Sequence, residues 1–93
     1  MGEVYQIIVS GKVQGVGFRY YTHGAANKVG VAGWARNLST GEVEVLARIP
    51  EGKKSLFIEL LRKGPPASRV RDIQVRLAEE TLDCPMSGFS IRH

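Results

Sequence analysis

The sequence has a single cysteine and four prolines, and between Glu3 and Glu42 it has no acidic residue at all. Each scarcity removes a class of protein. A lone Cys84 cannot close an intrachain disulfide, and no Cys and His residues have the spacing of a structural zinc site, which suits a reducing cytoplasm. No apolar run approaches the roughly 18 residues of a membrane span. The start, Met-Gly-Glu-Val-Tyr-Gln, has no basic segment followed by an apolar one, so neither secretion nor membrane insertion is expected. Met1-Gly2 opens like a myristoylation signal, but Gln6 stands where that signal wants Ser or Thr. Asn37-Leu38-Ser39 matches a glycosylation sequon, which has no meaning outside the secretory route. With 43% hydrophobic and 24% charged residues, the 93-residue chain reads as one globular domain, residues 1–93, with one core.

The missing acids matter most. The net charge is +4, from 13 basic and 9 acidic residues. Lys12, Arg19, Lys28 and Arg36 fall in the acid-free stretch, and elsewhere nine basic residues balance nine acidic ones. The excess therefore surrounds one segment. Such a region attracts anions and lacks the carboxylates that would hold Mg²⁺.

What is present is a clear alternation of periods. Val4 to Ser10 reads as a strand with Tyr5, Ile7 and Val9 on one face. Gly11 to Gly17 interrupts it. Phe18, Tyr21, Ala25 and Val29 then mark one face of a helix closed by Gly30, with Gly24 inside it at a cost of about 1 kcal/mol relative to Ala. Val31 to Asn37 and Glu42 to Ile49 read as two strands joined by a four-residue hairpin loop, Leu38 to Gly41. In the second of these, Val43, Val45, Ala47 and Ile49 alternate with Glu42, Glu44 and Arg48. After Pro50-Glu51-Gly52 a second helix runs from about Lys53 to Lys63, with an apolar stripe of Leu56, Phe57, Leu60 and Leu61, and Gly64-Pro65-Pro66 stops it. Val70 to Leu77 is a strand with Ile73, Val75 and Leu77 inward. Residues 78–87 read as a polar connection, and Phe89 and Ile91 make a short last strand. The order βαββαβ predicts an α+β split βαβ sandwich of the ferredoxin-like kind: an antiparallel sheet, two helices on one face and a short extra C-terminal strand.

Gly11, Gly15 and Gly17 lie between a strand end and a helix start, where main-chain N–H groups are unpaired and the helix dipole is positive. Such a loop is an anion nest. Arg19 adds a planar cationic fork able to hold a phosphate by two parallel bonds. Glycine is expected here because a Cβ would hold an oxyanion away from the amides. The loop lacks the Gly-Lys-Ser/Thr end of a Walker motif, and its glycine order and missing distal acid do not fit a dinucleotide fingerprint. A single phosphate group is the ligand that remains.

The segments GKVQGVGFR, GWARN with Gly41 after it, GPPASRV and the terminal GFSIRH together resemble the acylphosphatase family over nearly the whole chain. The resemblance implies metal-independent, cofactor-free hydrolysis of the carboxyl–phosphate bond of a small-molecule acyl phosphate by a monomer, with inorganic phosphate as product and inhibitor. It also implies site roles by position. The amides of Val13, Gln14, Gly15, Val16, Gly17 and Phe18 would cradle the phosphoryl group, Arg19 would bind it, and Asn37 would orient the attacking water. Ala35 and Leu38 depart mildly from the family pattern, in which a larger β-branched residue and a small hydroxyl residue are common. The mechanism does not call for His23, one turn after Arg19, which reads as a solvent-facing helix residue. His93 is expected to be exposed or disordered, Trp34 and Tyr20 to be packing residues, and Cys84 to lie in a polar loop. Arg69, Arg71 and Arg76 read as the solvated side of a strand.

Two other readings compete with this one. RNA recognition modules share the split βαβ fold but need aromatics on the central strands, and EVEVLARI offers none and two glutamates, so no nucleic-acid partner is expected. A non-catalytic sensing module is countered by the intact pair of Arg19 and Asn37, and a similar domain serving carbamoyl transfer within a larger protein is not expected from so short a chain.

Overall fold

The computed structural model describes residues 2–78 and 83–93. Its elements run β1 (Glu3–Lys12), α1 (Phe18–Val29), β2 (Ala32–Asn37), β3 (Val43–Ile49), α2 (Lys54–Lys63), β4 (Arg69–Leu77) and β5 (Phe89–Arg92). The five-stranded sheet has the order β4-β1-β3-β2-β5. The first four strands pair antiparallel, as the split βαβ pattern requires. The appended β5 is different: it lies parallel to β2, with Arg36 opposite Arg92.

The period-two residues of β1 and β3 face the helices. Ile7, Val9, Val43, Val45, Ala47 and Ile49 form the main core with Phe18, Ala26, Phe57 and Leu61, each large side chain adding about 1.5–3 kcal/mol when fully buried. Thr22 is buried among them, a polar residue the apolar spacing did not mark. Its hydroxyl is satisfied by donating to the Phe18 carbonyl one turn earlier, at 2.9 Å.

Two inward assignments shift. Leu56 is 49% exposed and Leu77 is 55% exposed, while Ile58 packs against the core in place of Leu56. Leu77 is the last residue of β4, an edge strand of the sheet, and pairs with Tyr5 near the start of β1.

The sheet face away from the helices is not simply polar. Val4, Trp34, Leu46 and Cys84 form a second, smaller cluster there. The chain around residues 83–85 folds over it: Trp34 Nε1 donates to the Asp83 carbonyl at 3.0 Å, and Arg48 donates to the carbonyls of Pro85 and Cys84. Cys84 is therefore buried and not in an exposed polar loop. Burial pushes its thiol pKa up, against the opposing pull of Arg48. Residues 79–82 of the expected connection lie outside the described residues.

Candidate active site

Antiparallel pairing of both β1 and β2 to β3 makes β1 and β2 run in one direction, and β5 runs with β2. Their C-terminal ends therefore arrive at the same edge of the sheet. α1 begins there too, because the loop after β1 leads straight into it. One edge thus collects a glycine loop, a helix N-terminus and three strand ends.

Gly17 is the N-cap of α1, in left-handed conformation and without a side-chain cap, and the first turn has no acidic residue. The first helical bond runs from the Tyr21 N–H to the Gly17 carbonyl, so the N–H groups just before it have no intrahelical acceptor. Gly15 and Gly17 are also required by the backbone itself, besides the close approach of an anion expected from sequence. Gly15 and Gly17 have φ of 75° and 80°, and a Cβ at either would meet no atom within 4 Å. Positive φ, which other residues adopt at a cost of roughly 1–2 kcal/mol, is the requirement that the chain itself sets.

Val13, Gly15, Gly17, Phe18, Arg19, Tyr20 and Asn37 line one hollow of about 140 Å³ at this edge. That is the space of about four or five waters and well below the size of a drug-sized ligand pocket. Arg19 and Asn37, eighteen positions apart in the chain, are brought together, as the sequence reading expects. Asn37 gets there by strand alternation: Ala35 is in the main core, and Asn37 lies on the same face, beyond the core rim at the end of β2. Gln14 and Val16 do not line the hollow. Val16 packs against the core, and Gln14 turns its side chain away, donating from Nε2 to the carbonyls of Leu38 at 2.8 Å and Glu42 at 2.9 Å.

Arg19 is held from a direction that its neighbours in sequence do not reveal. Its Nη1 donates to the Arg92 carbonyl at 2.8 Å and lies 3.3 Å from Nδ1 of His93. His93 is exposed but engaged. His23 is half-buried, with its ring edge-on to Phe89 at 6.3 Å, and does not face open solvent as expected. Tyr20 is 68% exposed and does not pack in the core. Trp34 is buried on the other face, under the guanidinium groups of Arg92 and Arg36.

The charge map also sharpens. Arg36 points to the far face, where its Nε meets Glu44 at 2.6 Å, so it adds nothing to the hollow. Glu42 is tied to Ser10 and Thr40, and Glu44, 7% exposed, accepts from Gln6 and Arg36. The carboxylates nearest in sequence are thus engaged away from the hollow, which leaves Arg19 as the charged group lining it. Among the described residues no three His, Cys, Asp or Glu side chains group as metal ligands, and no helix is long and apolar enough to cross a membrane.

A split βαβ sandwich with an arginine, main-chain amides and an asparagine around a small acid-free hollow is an α+β domain suited to a compact anion. The sequence pattern of the acylphosphatase family matches residues 5–91. The acylphosphatase of Bacillus subtilis strain 168 is 49% identical over 71 residues, 76% of this chain and 78% of the relative. The crystal structure of acylphosphatase from Bacillus subtilis aligns with a TM-score of 0.87 at 42% identity, over 97% of this chain and 98% of that one. At 31% identity and a TM-score of 0.85, the whole chain also matches 12% of full-length HypF in its phosphate- and nucleotide-bound form. The chain belongs to the acylphosphatase family and is a hydrolase.

Proposed function

We propose that the protein hydrolyses acyl phosphates at the phosphorus atom without a metal, using Arg19, Asn37 and the main-chain amides of residues 13–18. The observation that carries this reading is the shared hollow of Arg19, Asn37 and the loop glycines. An acyl phosphate needs little else. Its leaving group is a stabilised carboxylate, so no general acid is required. Charge in the transition state spreads over the equatorial phosphoryl oxygens, where fixed amides and one guanidinium act by preorganised electrostatics. Asn37 offers a carbonyl oxygen and an NH₂ group to hold water in line with the leaving oxygen.

The step balances without an added base. Water attacks phosphorus, the P–O bond to the carboxylate breaks, and the protons of the water stay on the product as dihydrogen phosphate. The substrate phosphoryl group is thus its own proton acceptor. Inorganic phosphate, fitting the same nest, inhibits.

The test is hydrolysis of a simple aroyl phosphate in EDTA. Wild-type turnover is expected to persist and to be inhibited by inorganic phosphate, while Arg19→Ala and Asn37→Ala each lose nearly all of it with the fold retained by circular dichroism. Activity that needs added metal, or either variant at wild-type rate, overturns the mechanism.

A further inference from the structure

Arg19 lines the hollow but does not offer its whole guanidinium to it. Nη1 donates to the Arg92 carbonyl at 2.8 Å and lies 3.3 Å from Nδ1 of His93. An arginine can only donate, so Nδ1 is the acceptor and the imidazole is the neutral tautomer with its proton on Nε2. Both N–H groups of Nη1 are thereby used. Among the described residues Nε and Nη2 of Arg19 donate to no protein group. Together they form one edge of the guanidinium, whose parallel N–H groups match two oxygens of a phosphate.

The register of β5 supplies this support. Arg92 stands opposite Arg36, so residue 93 comes level with Asn37, and alternation from Phe89 in the main core puts it on the α1 side of the sheet. Arg92 itself points the other way. Its guanidinium lies 4.4 Å from the centroid of the Trp34 ring and 3.7 Å from Asp83 Oδ2, so the strand end is anchored on the far face while its carbonyl and the next residue hold Arg19 on the near one. Few charges surround the imidazole. Arg36 from β2 is paired with Glu44 on the far face, His23 from α1 lies edge-on to Phe89, and among the described residues no carboxylate pairs with His93. The cation that His93 faces is Arg19.

We infer that His93 is a positioning residue for Arg19: with the Arg92 carbonyl it occupies Nη1 and turns the Nε–Nη2 edge to the phosphoryl group, and it does so only while its imidazole is neutral. The inference rests on the acyl phosphate reading and adds the device that aims its arginine. Protonation removes the accepting lone pair and sets two cations side by side. Arg19 then keeps one tether, and its fork is no longer fixed against the phosphate.

The experiment follows kcat/KM for an aroyl phosphate in the full chain. His93→Ala should leave the urea midpoint unchanged, because the residue is exposed, but lower kcat/KM about tenfold and weaken inhibition by inorganic phosphate in parallel. His93→Asn, whose Oδ1 can accept in place of Nδ1, should restore most of both. From about pH 8 to 5 a histidine becomes charged and an asparagine does not, so the ratio of wild-type to His93→Asn kcat/KM should fall toward acid, with the substrate's own titration cancelling. Inorganic phosphate should also shift the NMR resonance of the Arg19 Nε–H in the wild type. If the aroyl phosphate is hydrolysed but His93→Ala matches the wild type, His93→Asn fails to rescue, the ratio stays flat with pH, or phosphate leaves the Nε–H unmoved, the positioning role is refuted while the reaction stands. If no acyl phosphate is hydrolysed, the reaction and the role fall together.

Discussion

Gln14 Nε2 lies 2.8 Å from the main-chain carbonyl of Leu38, and the same amide also donates to the Glu42 carbonyl. Leu38 follows Asn37, so one side chain of the glycine loop sets the position of the hairpin that carries Asn37, the residue proposed to orient the water. Loop and hairpin form a single unit, and the distance between the loop amides and Asn37 depends on it.

Gln14→Ala should therefore separate binding from turnover. Two half-buried carbonyls lose a donor, a loss of about 1 kcal/mol in stability. Displacement of Asn37 by a fraction of an ångström to an ångström lowers kcat about tenfold to a hundredfold. The proposed nest is main-chain, so inhibition by inorganic phosphate should stay within about twofold. Steady-state kinetics with phosphate titration checks both, and an unchanged kcat would show that the hairpin is held by other contacts.

The role of Gln14 marks the boundary of what the sequence could show. The strands of Ile7 and Val45, the helix of Phe18 and Ala25, and the meeting of Arg19 with Asn37 follow from periodicity, charge and family resemblance, because each is written in local pattern or motif. Contacts made by one side chain with a distant main chain are not. Gln14 to Leu38 and Arg19 to the Arg92 carbonyl depend on the order and direction of strands, above all on β5 joining parallel to β2. The outer cluster of Trp34, Leu46 and Cys84 was hidden for a similar reason: alternation in β3 places Leu46 opposite the core, and only the return of the chain over that face explains an apolar residue there.

Replacing a loop glycine should damage stability as well as activity. At Gly17, φ is 80° and a Cβ meets nothing, so Gly17→Ala suffers from its backbone conformation and loses about 1–2 kcal/mol. The loop amides turn as that strain is relieved, and phosphate inhibition weakens in parallel. Urea unfolding and the phosphate inhibition constant, measured on the same variant, check this. Full stability with lost activity would instead point to obstruction of the ligand by the methyl group alone.

The two partners of the outer ion pair should respond unequally. Glu44 is buried and accepts from both Gln6 and Arg36, whereas the Arg36 side chain is 47% exposed. Arg36→Gln leaves a carboxylate that water barely reaches and should lower stability by about 1–3 kcal/mol. Glu44→Gln leaves an arginine free to hydrate and should cost less than about 1 kcal/mol. Both lie on the face away from the hollow, so kcat/KM should stay within about threefold. Equal losses in denaturant titration would mean that Glu44 is hydrated.

Alkaline conditions should weaken the fold in two steps. Burial raises the pKa of the Cys84 thiol, with Arg48 pulling the other way, and burial likewise raises that of the Tyr21 phenol, which donates to the Leu60 carbonyl. In each case the unfolded chain releases its proton first as pH rises. Between the two values the unfolded state binds fewer protons than the native one, so stability falls with pH. The contribution is intact below the unfolded value and is lost as pH passes through the higher folded one. The first decline should begin near the ordinary thiol value of about 8.5, and the second near the ordinary tyrosine value of about 10. Cys84→Ala should remove the first step and Tyr21→Phe the second, with urea midpoints from pH 7 to 11 as the readout. Parallel midpoint curves for wild type and Cys84→Ala between pH 8 and 10 would show that the thiol is not kept neutral by burial.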